Sequence, residues 1–269
     1  MLSQLVVGLS LGALVGLLAW RLGALSRSGA LAAALTGGLT FGLGGFKWAV
    51  LLLAFFITSS AWSRAFKRRK AGVEEKYAKG SQRDWGQVMA NGGIGALLAV
   101  LSALMPGNAW PWLAFGGAIA AVNADTWATE LGIFNPSPPR LITTGKTVER
   151  GTSGGVTLLG YLAALGGSAL IGVLAAFFSR DIPSAPIIAM AITLAGLAGS
   201  TIDSLLGATV QAIYFCPRCH KETERFPLHG CGTPTIHQRG WRWLDNEWVN
   251  ASCSLVGALT ALGIWYALR

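Results

Sequence analysis

Residues 154–178 read GGVTLLGYLAALGGSALIGVLAAFF, a run with no charged side chain. A helix at the surface of a soluble domain carries a polar face, whereas a bilayer-spanning helix needs roughly 20 predominantly apolar residues. This run is therefore read as a membrane span. Working outward, further spans are read at about 2–20, 29–45, 47–62, 87–105, 110–125, 186–213 and 250–268, each bounded by charge or proline. The expected fold class is all-α: one integral membrane domain over residues 1–269 with about eight transmembrane helices, seven to nine. The second and third spans are the weakest, because glycines crowd residues 35–46 and Lys47 interrupts the pair; a re-entrant hairpin would also accommodate them.

Composition agrees with lipid as the solvent. The chain is 52% hydrophobic and 12% charged, where soluble domains carry about 25% charged residues. Glycine is abundant, at 36 residues, as suits helices that pack closely in membranes. The first apolar stretch lacks a basic leader and a small-residue cleavage site, so it reads as a retained span and not as a signal peptide.

Charge placement orients the spans. With eight crossings, all of the 21 Lys and Arg residues except Lys47, Arg180 and Arg269 fall in loops on one side, and short cytoplasmic loops collect basic residues. That side is expected to be cytoplasmic, with both termini extracytoplasmic and, in a prokaryote, the cell membrane as host. The acids lie on the same side apart from Asp181. The net charge of +9 suits anionic headgroups or anionic substrates. Nucleic acid is a poor fit, because the basic residues sit beside spans.

Four polar clusters interrupt the apolar background. Arg83, Gln87 and Asn91 recur at i, i+4, i+8 and enter an apolar helix, unlike the basic run Arg68–Lys79, which reads as a juxtamembrane loop. Asp125 and Glu130 close the fifth span; acids at such depth need a metal, a base or a cap, and five residues separate them by about 140°, so they share a face only if the helix breaks. Between Pro139 and Thr157 stand Arg140, Lys146, Arg150 and the run Gly151, Thr152, Ser153, Gly154, Gly155. Cations, hydroxyls and close glycines before a helix suit a phosphate, although the segment reads equally as a flexible loop. It is not a Walker A loop, since Arg140 occupies the position of the first glycine. In the seventh span Gly199, Asp203, Gly207 and Gln211 share one face beside Ser200 and Ser204. Small residues allow close helix contact, but packing needs no carboxylate, so Asp203 is read as a ligand for a divalent cation.

Residues 214–243 form a cytoplasmic loop insert. Cys216 and Cys219, with His229 or His220 and Cys231 downstream, have the spacing of structural zinc; a redox pair or unligated thiols would be the alternative. Cys253 reads as a buried thiol. Asp245 and Asn246 then precede the last span, where capping explains Asp245 nearly as well as catalysis.

The motifs Arg83–Val88 with Asn91–Gly93, Ala124–Gly132, Gly151–Gly155, Gly199–Ser204 and Leu244–Asn246 resemble, in this order, the transmembrane-protein-19-like family (domain of unknown function 92). That family includes the phytyl-phosphate kinase of tocopherol biosynthesis. More distantly the arrangement is similar to CTP-dependent phosphatidate cytidylyltransferases and polyprenol kinases. The resemblance implies an Mg²⁺-dependent phosphotransferase that moves a phosphoryl group from a nucleoside triphosphate, with CTP suspected, to an isoprenyl monophosphate such as phytyl or geranylgeranyl phosphate. Glu247 departs from the family's Leu-Asp-Asn-Asp run. On both readings Asp125, Asp203, Glu130 and Asp245 are candidate Mg²⁺ ligands. Asp125, Asp203, Glu130 and Lys146 are candidate catalytic residues, and Arg83, Asn91, Arg140, Arg150, Gly151–Gly155, Ser200, Ser204, Gln211, Asp245 and Asn246 are candidate phosphate-binding residues. Expected partners are the bilayer, an isoprenyl phosphate and a nucleotide, with a homodimer left open. A lipid cytidylyltransferase or lipid-alcohol kinase is the alternative enzyme, and an ion-coupled transporter the alternative of another class.

Overall fold

The computed structural model describes residues 2–66, 82–179 and 184–268. The basic run from Lys67 to Lys79, together with Arg180, Asp181 and Arg269, lies outside the described residues. Eight α-helices stand among them: α1 (Leu2–Arg21), α2 (Arg27–Leu39), α3 (Phe46–Ala65), α4 (Trp85–Leu104), α5 (Trp110–Gly132), α6 (Leu158–Phe177), α7 (Ala185–Thr209) and α8 (Asn246–Leu268). Six of these, all but α2 and α5, are long and apolar enough to cross a membrane. The chain is thus an all-α polytopic membrane protein.

The centre is α5, on which every residue from Pro111 to Ala124 is buried. A helix buried all round needs partners all round, and α3, α4, α6, α7 and α8 supply them. Trp48 and Phe115 form the heart of the core, their ring centroids 4.5 Å apart. Where α5 meets α8, a Cβ on Gly117 would run into the backbone carbonyl of Gly257. Glycine therefore sets this helix separation, as van der Waals packing in lipid requires. The hairpin of α1 and α2 stands outside the core and leans on α4 through α2. Leu14, Leu31, Leu97, Val173 and Leu259 face outward, apolar surface suited to hydrocarbon.

One end of the bundle is tied by caps. Ser26 accepts a hydrogen bond from Gly29 N at 3.1 Å, Thr157 from Gly160 N at 3.0 Å and Asp245 from Trp248 N at 3.1 Å. Asp84 and Gln87 form a reciprocal capping box at the start of α4. Each satisfies donors that the first helical turn leaves open. The α1–α2 turn is fastened here too: Leu25 and Arg83 form a β-bridge.

Several boundaries differ from the sequence expectation. The fifth helix continues unbroken through Asp125 and Glu130 to Gly132. Residues 154–157 are not helical, since Gly155–Val156 form strand β2, antiparallel to β1 (Arg140–Leu141). The seventh helix stops at Thr209, and the chain turns into β3 (Ile213–Cys216). Between the second and third spans, α2 runs on through a π-helical turn, Thr40–Gly44, and meets α3 at Gly45, whose φ is 86°. The insert is a three-stranded antiparallel sheet in the order β4 (Lys221–Thr223), β3, β5 (Ile236–Arg239).

Candidate functional site

A cleft of about 310 Å³ opens at the capped end, between the ends of α3 to α8. On one wall, Ser200 Oγ donates to Asp125 Oδ1 at 3.5 Å, joining α7 to α5. Asp203 follows Ser200 by three residues on the same helical face, so two carboxylates from different helices line one space. Asp203 Oδ2 is buried and, among the described residues, has no hydrogen-bond partner. A buried carboxylate oxygen left in that state is costly, and a cation is the usual remedy.

Glu130 also reaches the cleft although the helix does not break. Asp125 and Glu130 flank the opening from two directions, and Ser63 Oγ donates to Glu130 Oε1 at 2.7 Å. Arg83 lies opposite, packed over the rings of Phe55 and Phe56 at 5.5 and 6.0 Å. Burial pulls the Arg83 guanidinium below its ordinary value, while the charge of Glu130 holds it up. Gln87 and Asn91 complete this side; Arg83 precedes α4, so the three form a polar column that begins in the loop.

The glycine segment closes the other side. The β1–β2 hairpin brings residues 151–155 over α7, with Gly151 and Gly154 at φ 79° and 80°. A Cβ on Gly154 would run into Ala208, so only glycine lets the loop lie this close to the helix. Arg150 lines the cleft and donates to Asn135 O at 2.7 Å and Pro136 O at 3.3 Å. Ser200, Ser204, Gln211, Asn246 and the whole Gly151–Gly155 run line it as well.

Three sequence candidates do not. Arg140 turns back to Gly145 O at 3.1 Å, Lys146 is exposed, and Asp245 caps α8; none borders the cleft. Glu247, the departure from the family pattern, does border it, with Asn250 one turn on. Sequence reasoning also gave no site role to Thr129, four residues after Asp125, or to Asn250, four after Asn246; helical spacing could have suggested one for both. Glu224 it could not have found. This residue arrives from the insert, where Glu224 Oε1 accepts from Ser153 Oγ at 2.8 Å and from Gln211 Nε2 at 2.9 Å.

Away from the cleft, one ligand atom from each of Cys216, Cys219, His229 and Cys231 lies within 4.8 Å of the others. Thr233 and then His229 pull the Cys231 thiol down to about 5, whereas Cys219, hydrogen-bonded to Cys231 and beside Cys216, is pushed up to about 11. Cys253 is buried in α8, as expected.

The family model described as integral membrane protein DUF92 matches residues 10–258. The chain belongs to this family. Among its relatives, Protein PGR of Arabidopsis thaliana is 34% identical over 98% of this chain and 97% of its own length. An uncharacterized membrane protein of Methanocaldococcus jannaschii is 37% identical over 68% of this chain and 74% of its own. Protein VTE6, chloroplastic, of Arabidopsis thaliana is 27% identical over 88% of this chain and 64% of its own. No solved structure matches the chain.

Proposed function

We propose that this DUF92 protein is a membrane phosphotransferase that moves a phosphoryl group from a nucleoside triphosphate, CTP foremost, to an isoprenyl monophosphate, giving the diphosphate. The observation that carries the reading is the meeting of Asp125 and the unsatisfied Asp203 with the glycine loop 151–155 in one cleft. The likeness to Protein VTE6 and the resemblance to a family that includes phytyl-phosphate kinase support the same reading.

Phosphoryl transfer asks for positioning and charge neutralisation more than for covalent chemistry. Asp125 and Asp203 would hold Mg²⁺, which commonly uses one or two carboxylates together with substrate phosphates, and Glu130 lies near enough to the opening to assist. A metal ion held by these carboxylates would supply positive charge to offset that of the donor phosphates. Backbone N–H groups of the Gly151–Gly155 run and the Arg150 guanidinium would bind phosphate from the loop side, and Arg83 from the side of α4. The acceptor already carries an ionised phosphate, so the site needs no strong base. Its tail would leave between helices, past Tyr161 and the outward-facing Leu158 and Leu162 of α6. The active face would be cytoplasmic, following the basic loops.

Purified protein incubated with Mg²⁺, with CTP, ATP or UTP, and with phytyl, geranylgeranyl or farnesyl monophosphate tests this, the products being read by mass spectrometry. A lipid diphosphate with the nucleoside diphosphate is expected. Release of pyrophosphate would instead mark nucleotidyl transfer, and no turnover by folded protein across the panel would overturn the assignment.

A further inference from the structure

The insert between α7 and α8 contributes no phosphate ligand, yet it brings a carboxylate to the cleft wall. Cys216 ends β3, Cys219 lies in the turn after it, and His229 and Cys231 come from the bend before β5. Zinc bonds of about 2.3 Å to sulfur and 2.0–2.1 Å to nitrogen put tetrahedral ligand atoms roughly 3.4–3.8 Å apart. The Sγ atoms of Cys216 and Cys231 are 3.6 Å apart, and His229 Nδ1 lies 3.3 Å from Cys231 Sγ. Three cysteines and a histidine make a closed, four-ligand set, the form that structural zinc takes.

We propose that this tetrad binds one Zn²⁺, and that the metal holds Glu224 against the glycine loop and the end of α7, so that zinc fixes the shape of the cleft wall. The link is short. Lys221 follows the Cys219 turn directly, Cys216 pairs with Lys221 across the sheet, and Thr223 pairs with Tyr214. Glu224 is the next residue, and its Oε1 accepts from Ser153 in the loop and Gln211 after α7. The far strand is fastened to the same helix end: Arg239 Nη1 donates to Gly207 O at 3.0 Å, and Trp241 N to Val210 O at 2.8 Å. Strands of three and four residues bury too little to hold a sheet by themselves, and metal binding is how such small modules obtain their folding free energy. Glu224 is thus a positioning residue whose place depends on an ion that never touches the substrate. Only the identity of the cleft as a kinase site rests on the proposed function.

The test uses the full chain in detergent. Elemental analysis should find one zinc per chain as purified, and Cys231→Ser should lose it. Chelating the zinc from the wild-type protein should raise amide hydrogen exchange over residues 151–157 as well as over the insert, and Zn²⁺ but not Mg²⁺ should reverse the rise. Glu224→Gln should keep the zinc and still show faster exchange over 151–157. Folded protein that neither carries nor takes up stoichiometric zinc would overturn the proposal, as would removal of zinc that leaves exchange over 151–157 unchanged. If Cys231→Ser fails to fold, chelation of the wild type carries the test alone. None of these readouts needs a substrate, so the proposal and the kinase reading can fail separately.

Discussion

One carboxylate oxygen of Asp203, Oδ2, is buried among the helices and receives no hydrogen bond from the described residues. Such an atom weakens the protein that carries it, which makes a two-sided expectation possible. Asp203→Asn should lower phosphotransfer by at least about 100-fold, because metal-borne charge stabilisation is worth several kcal/mol and each ~1.4 kcal/mol is tenfold. The same variant should melt at the wild-type temperature or above it in a detergent thermal scan. A folded Asp203→Asn protein with full activity would sink the metal-ligand role. Two of the loop's three cations should separate likewise. Arg150 borders the cleft and Lys146 does not, so Arg150→Ala should raise KM for the nucleotide by about tenfold, well beyond the effect of Lys146→Ala; equal effects would mean that the loop closes differently around its ligand. Asp125, Asp203 and the glycine run were legible from sequence, because an acid inside an apolar helix is too costly to be kept for packing and clustered glycines ahead of a helix favour close approach of backbone to an anion. Glu224 was not, because its position depends on a sheet that no local pattern announces.

At the level of elements, the glycine loop and α7 behave as one piece. Gly154 has φ 80° and lies against Ala208, so Gly154→Ala meets two obstacles, a left-handed backbone costing roughly 1–2 kcal/mol and a collision with the helix. The expected outcome is weaker nucleotide binding by isothermal titration with little change in the melting of the helical core. A drop in melting temperature without loss of nucleotide affinity would show that the loop supports the fold and not the ligand. Hydropathy placed eight helices in the right order, since long apolar runs bounded by charge leave little freedom. It missed at polar ends. The fifth span was read as ending near 125, yet α5 continues to Gly132, and Ser63 and Ser200 donate to its two acids. Residues 154–157 and 210–213 were absorbed into neighbouring spans, because a short apolar strand and a helix end look alike to hydropathy.

Across the whole molecule, the cleft and both small sheets gather at one end, where α1, α3, α5 and α7 finish and α2, α4, α6 and α8 begin. If the six apolar helices cross the bilayer together with α2 and α5, both termini lie opposite the cleft. Protease added to sealed inside-out vesicles should then cut within residues 143–147 and spare a tag placed after the last residue; cleavage of both would mean an even number of crossings between that loop and the tag. The central helix has a further consequence, for how the protein is made. α5 is not among the helices apolar enough to cross a membrane alone, and it carries Asn123, Asp125 and Glu130. An acid at mid-helix costs an emerging segment about 2.5–3.5 kcal/mol at the insertion machinery. Residues 110–132, translated by themselves into a glycosylation reporter, should therefore integrate poorly where residues 158–177 integrate well. The helix that carries the first carboxylate of the cleft must wait in the translocon until later helices arrive to surround it, so the site is assembled only when biogenesis of the bundle is nearly complete.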